Sequence, residues 1–115
     1  MEYLFVYGTL KRGGKLHRYM DGARFIGEGR IEGYRMYLVD WYPAVVRGCG
    51  NVYGEVYMVD RKLLRLIDGI EEEGVLYRRE KVDVKMGDKT IKCWVYIYLG
   101  SVSGLEPVED GTFPV

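Results

Sequence analysis

Three consecutive carboxylates stand in the middle of the segment IDGIEEEGVLY (67–77), directly after the one stretch whose apolar residues recur at helical spacing. Leu63, Leu64, Leu66, Ile67 and Ile70 make a single stripe there. At 100° per residue, Glu71 lies about 70° from the centre of that stripe, Glu72 about 170° and Glu73 about 90°. Glu71 is therefore the inward acid, four residues after Ile67 and seven after Leu64. A carboxyl that reaches a partly apolar pocket loses water from its ionised form, its pKa rises, and it can act as a general acid and base near neutrality. The competing expectation is a charged helix end in solvent, although acids at a helix C-terminus oppose the macrodipole. Geometry alone leaves both open. Glu55 in GEVY and Asp40 before WYPA are rival acids; alternation along a strand can turn Glu55 to solvent, and Asp40 suits a turn.

A second candidate is EYLFVYGTLKRGG (2–14), an apolar run that stops on Tyr7, Gly8 and Thr9. Glycine at position 8 removes the side chain that would shield the backbone, so the amides of Tyr7 to Leu10 can approach a ligand. Such a nest of donors would hold a carboxylate or a developing oxyanion, with Lys11 and Arg12 adding positive potential. A plain strand end with a polar loop is the alternative. Other chemistries find few residues. His17 is the only histidine, the serines Ser101 and Ser103 both lie in the tail, and Cys49 and Cys93 sit outside any Cys-x-x-Cys spacing. Neither a Ser or Cys nucleophile with its orienting partners nor a metal site can be assembled with any force. Acid/base work assisted by backbone donors, with no metal or cofactor, is what the composition expects.

The elements that must position these groups follow from periodicity. Residues 2–7 are apolar nearly throughout, as in a strand covered on both faces. KLHRYM (15–20) has room for one or two helical turns. ARFIGEGRIEGYRMYLVD (23–40) is strand-like but broken by Gly27, Gly29 and Gly33, a pattern of sharp bends and bulges in closed sheets. WYPAVV (41–46) is expected to pass from loop to short strand, and NVYGEVYMV (51–59) to form another strand with Gly54 at a close approach. Asp60 caps the helix RKLLRLIDGI. YRREKVDVKM and TIKCWVYIYL flank Met86-Gly87-Asp88-Lys89 as a hairpin, and Leu105, Val108 and Phe113 can tie the tail across the body.

A chain of 115 residues with 48% hydrophobic content suits one domain, residues 1–115. Seventeen basic residues balance seventeen acidic ones, so no net field steers it to nucleic acid or to an anionic membrane. A small neutral or zwitterionic ligand fits better. No leader-like start and no apolar run of membrane length are present, so a cytoplasmic location and two free thiols are expected.

In order along the chain, YGTLKRG (7–13), YPAVV (42–46), GEVY (54–57) and IDGIEEEGVLYRR (67–79) resemble the γ-glutamylcyclotransferase-like family, closest to its γ-glutamylamine cyclotransferase and AIG2-like branch. The resemblance implies an α+β fold: a small, strongly bent mixed β-barrel with one main α-helix and a cavity at one end. It implies enzymes that cyclise γ-glutamyl compounds to 5-oxoproline and release an amine, with no cofactor. Carried over by position, it puts substrate binding on Tyr7, Gly8, Thr9 and Leu10, a pocket proline region on Tyr42, Pro43 and Ala44, the catalytic acid on Glu71 and a cavity-lining aromatic on Tyr77. Ile67 replaces the usual leucine, and Gly69 with the triple glutamate would permit a shift toward Glu72. Some relatives keep the fold with no established substrate, so a non-catalytic protein binding a small carboxylate is the alternative. The implied partner is a small-molecule γ-glutamyl substrate; the leaving amine and the oligomeric state stay open.

Overall fold

Leu4, Phe5 and Val6 carry no polar side-chain atom, and the strand they end (β1, Glu2–Val6) is covered on both faces in a computed structural model that describes residues 1–115. β1 lies between β3 (Pro43–Val59), antiparallel with Val6 opposite Glu55, and β5 (Lys89–Tyr98), parallel with Leu4 opposite Trp94. β5 pairs with β4 (Tyr77–Met86), β4 touches β2 (Arg24–Leu38), and β2 returns to pair with β3 along most of its length. Five strands thereby close into a mixed barrel, with the short β6 (Glu106–Pro107) added on β2. The fold is the expected bent barrel with one helix.

Curvature enters where the glycines predicted it. The β2–β3 register slips between Phe25 and Gly27 and again between Glu32 and Tyr34, where Gly33 has φ +83. A residue with a Cβ would be strained in that left-handed conformation. One expectation fails here: residues 41–46 and 51–59 are not separate strands. β3 runs unbroken for 17 residues: Arg47 still pairs with Tyr34 and Asn51 with Glu32, and residues 48–50 form an irregularity in the ladder opposite Gly33 rather than a break between two strands.

Two apolar clusters use the alternation of β1. Phe5 and Tyr7 join Ile31, Met36, Val45, Val52, Val84 and Val95 in the larger one, which fills the barrel. Leu4 and Val6 join Tyr57, Val59, Tyr77 and Tyr96 beneath α1 (Arg61–Ile70), which contributes Leu64 and Ile67. α1 starts where expected, since the Leu63 N–H donates to Asp60 Oδ1 at 2.8 Å. Its stripe is narrower than the sequence implied: Leu66 is 54% exposed, and only Leu64 and Ile67 are buried. The β4–β5 hairpin turns at Gly87 and Asp88, with Gly87 at φ +61. The tail crosses the body as expected, the Val108 N–H donating to Met36 O and the Tyr53 N–H to Gly111 O, both at 2.9 Å, with Phe113 buried. Cys49 is exposed, Cys93 buried, and both are free. No helix is long and apolar enough to cross a membrane.

Candidate active site

Glu71 is the residue on which α1 ends. Its N–H still donates to Ile67 O at 2.9 Å, while Glu72 swings to φ +52 and the Glu73 N–H turns back to Asp68 O at 2.9 Å. This left-handed cap separates the three acids, leaving Glu72 and Glu73 exposed and Glu71 partly buried. With Leu66 outside, the buried stripe centres between Leu64 and Ile67, about 10° from Glu71 by helical rotation. The acid is more central to the buried face than the five-residue stripe predicted. Burial raises its carboxyl from the usual 4.5 to about 7.

A hollow open to solvent brings Glu71 together with Tyr7, Gly8, Thr9, Leu10, Tyr42, Pro43 and Tyr77, and adds Phe5, Val6 and Tyr96. Of the binding residues that the family resemblance implies, Ala44 is the exception. It is fully buried and does not reach the hollow, because on a strand the residue after Pro43 points to the opposite face. The need for glycine at position 8 is tertiary: a Cβ there would stand 2.6 Å from Pro43 Cγ. The loop after β1 therefore closes directly on the start of β3.

This loop spends its carbonyls and keeps its amides. Gly8 O accepts from the Lys11 N–H at 3.0 Å, Thr9 O from the Leu16 N–H at 2.9 Å, and Leu10 O lies 2.8 Å from His17 Nδ1. The N–H groups of Gly8, Thr9 and Leu10 donate to no protein acceptor. Donors without partners at the edge of a hollow are suited to a ligand's carboxylate or carbonyl oxygens.

The hollow is also lined by phenols. The Tyr7 hydroxyl donates to Tyr96 O and the Tyr77 hydroxyl to Pro43 O, each at 2.6 Å, and the Tyr96 hydroxyl to Asp68 Oδ1 at 2.7 Å. Asp68 also accepts from Arg79, at 2.6 Å from Nε and 3.0 Å from Nη2. Burial raises the pKa of all three phenols, and the nearby Glu71 charge raises each further. Tyr96 was not singled out by sequence; it stands in the nearly all-apolar run CWVYIYL, where nothing separates it from Trp94 or Tyr98.

Two basic residues expected beside the donor loop face elsewhere. Lys11 Nζ donates to Phe113 O at 2.8 Å, and Arg12 donates to Glu55 through both its backbone N–H (3.0 Å) and Nε (3.2 Å). Neither lines the hollow. Glu55, which alternation could have sent to solvent, is 8% exposed and also accepts from the Tyr57 hydroxyl at 2.9 Å. It braces the loop from behind rather than competing with Glu71. Asp40 is exposed in the turn before β3.

A small closed mixed barrel with one α-helix is the fold of the γ-glutamylcyclotransferase-like class. The chain belongs to that family: the family model described as gamma-glutamyl cyclotransferase, AIG2-like, matches residues 4–114. A relative in Methanocaldococcus jannaschii is 42% identical over 118 residues, covering 98% of this chain and 96% of the relative. The gamma-glutamylcyclotransferase family protein YtfP of Escherichia coli K12 is 33% identical over 108 residues, covering 94% and 92%. Among solved structures, an uncharacterized protein from Pyrococcus horikoshii superimposes with a TM-score of 0.84 at 36% identity, over 97% of this chain and 89% of that one. An AIG2-like protein from Mus musculus gives 0.81 at 32% identity, over 86% and 78%.

Proposed function

We propose that the protein is a γ-glutamyl(amine) cyclotransferase, which converts a γ-glutamyl compound to 5-oxoproline and a free amine with Glu71 as general base and acid. The observation that carries this proposal is the pairing, in one hollow, of a carboxyl held near pH 7 with the unpartnered amides of Gly8 to Leu10. The ionised Glu71 takes a proton from the substrate's α-ammonium. The freed nitrogen attacks the γ-carbonyl carbon, a C–N bond closes the five-membered ring, and the carbonyl oxygen becomes an oxyanion facing the loop amides. As the oxyanion collapses, the bond to the leaving nitrogen breaks, Glu71 returns its proton there, and the ring nitrogen gives up its second proton to the released amine, which departs as an ammonium. Because attack is intramolecular, holding the chain curled supplies much of the acceleration.

A panel of γ-glutamyl amines and γ-glutamyl amino acids, assayed for 5-oxoproline, tests this. Turnover of at least one compound, abolished in a folded Glu71→Gln variant, is expected. Undiminished turnover by that variant would remove Glu71 from the mechanism. Binding of 5-oxoproline with no turnover of any compound would favour the non-catalytic alternative.

A further inference from the structure

The donor loop is built from two consecutive β-turns that share one residue. The Lys11 N–H donates to Gly8 O at 3.0 Å and Lys11 O accepts from the Gly14 N–H at 2.8 Å, so residues 8–11 and 11–14 each close on themselves. Thr9 and Leu10 are the central residues of the first turn, which leaves their own amides unpaired. Lys11 ends that turn, so what holds Lys11 holds the amides. Its side chain is 7% exposed, does not line the hollow and forms no salt bridge. A lysine is rarely buried without a carboxylate partner. The hydrogen bond of this one runs to Phe113 O, 102 residues along the chain, at 2.8 Å.

We propose that Lys11 is a positioning residue: through the Phe113 carbonyl it ties the carboxy-terminal tail to the donor turn and fixes the Thr9 and Leu10 amides from outside the hollow. Phe113 is an anchored acceptor. Its ring belongs to the cluster that fills the barrel, and the residues before it are tied to the strands, the Val108 N–H donating to Met36 O and the Tyr53 N–H to Gly111 O. The tail also meets the second turn, since a Cβ placed on Gly13 would stand 3.5 Å from Val115 Cγ2. Arg12, the next residue, is held by Glu55 of β3, so two neighbouring residues fasten the loop to two distant parts of the chain. Two fasteners matter because no protein acceptor holds the amides themselves. With the ammonium released, the turn can rock on its remaining tether while the strands stay paired. The tie stands on this geometry alone; its effect on rate rests on the function proposed above.

Lys11→Met removes the donor and keeps an unbranched apolar stem, and NMR relaxation of the backbone amides reads the result without any ligand. Order parameters of Thr9 and Leu10 should fall from about 0.85 to below about 0.6, while those of β1 and β3 stay rigid. With whichever γ-glutamyl compound is turned over best, kcat/KM should fall at least about tenfold, since misplacing a group by about 1 Å costs on the order of a hundredfold. Its rising limb near pH 7 should not move, because the surroundings of Glu71 are untouched. Unchanged order at Thr9 and Leu10 would overturn the proposal. So would a loss of order spread over the whole barrel, which marks a lysine needed only for stability, or a displaced limb, which marks an action through charge. Should Lys11→Met not fold, Lys11→Gln, a neutral donor one bond shorter, is read in the same way. If the unsubstituted protein turns over no γ-glutamyl compound, the enzyme assignment fails, and the order at Thr9 and Leu10 alone decides the tie.

Discussion

Arg79 grips Asp68 through Nε and Nη2, three residues before Glu71 on the same helix. Its backbone N–H reaches Glu73 Oε2 at 3.3 Å, so one residue of β4 holds the helix end on both sides of the acid. The guanidinium also lies 4.3 Å from the Trp94 ring centroid. A terminal helical residue would ordinarily fray, and a frayed Glu71 would face water instead of the loop amides. The Asp68–Arg79 pair fixes the place of the acid without touching the hollow.

Arg79→Ala leaves Asp68 with one partner in a partly buried site, and the variant should lose about 1–3 kcal/mol in urea unfolding. Arg79→Lys keeps the charge but not the planar fork, so about half of that loss should remain. In both variants turnover should fall more than stability predicts, because the acid is released from its position. A variant as stable as the parent would show the pair to be dispensable.

Glu72 is the one non-glycine residue with a left-handed backbone, at φ +52, and its side chain is exposed. Its backbone carbonyl accepts from Val75 and Leu76 whatever the side chain. Glu72→Gly relieves the Cβ clash of this conformation and should raise stability by roughly 0.5–1 kcal/mol after the entropy of glycine is counted. A higher urea midpoint at an unchanged slope is the expected result. Destabilisation would mean that the glutamate side chain holds the cap.

The parts of this fold legible in sequence are those written in local spacing. The Asp60 cap, the helix, the hairpin and the glycine bends of β2 all follow from periods of 3.6 and 2 or from turn residues. Residues 48–50 of β3 were not legible, because they form an irregularity opposite Gly33 that is held by the paired residues Arg47 and Asn51 on either side, not by a pattern of their own side chains. The site divides in the same way. Glu71 could be found from helical rotation, and Gly8 from its interruption of an apolar run. Ala44 came with Tyr42 and Pro43 from the family resemblance, and its side chain is fully buried away from the hollow, as alternation along a strand turns it. The partners of Lys11 and Arg12 lie 102 and 43 residues away, beyond the reach of any local pattern.

Gly8→Ala tests how tightly the donor loop is built. Gly8 does not have a positive φ, so the cost is steric: the new Cβ would stand 2.6 Å from Pro43 Cγ and 2.9 Å from Cδ. The loop or the proline must shift, at about 1–3 kcal/mol. Because the shift displaces the amides of residues 8–10, KM and kcat should both worsen. Gly8→Ala combined with Pro43→Ala should recover part of the stability, since the clashing ring is gone. Lack of recovery would mean that the strain lies elsewhere.

Glu71→Gln should make the protein more stable, but only above acidic pH. Below about pH 4.5 the carboxyl is protonated in both folded and unfolded chains, and burying it carries no ionic cost. Between 4.5 and about 7 the unfolded chain ionises while the folded one stays protonated, so stability falls as pH rises. Above about 7 the folded chain carries a buried carboxylate, and the full penalty, on the order of 3 kcal/mol, is present. Glutamine has no such titration. Urea unfolding at pH 4 and pH 8.5 should therefore show near-equal variants at the first and Glu71→Gln ahead at the second. The same ionisation should appear as a rising limb near pH 7 in kcat/KM of the unsubstituted enzyme, since the base must be ionised to accept the substrate's proton. Coincidence of the two transitions would tie the loss of stability and the gain of activity to one carboxyl; a pH-independent stability difference would place Glu71 in water and remove the basis for its role.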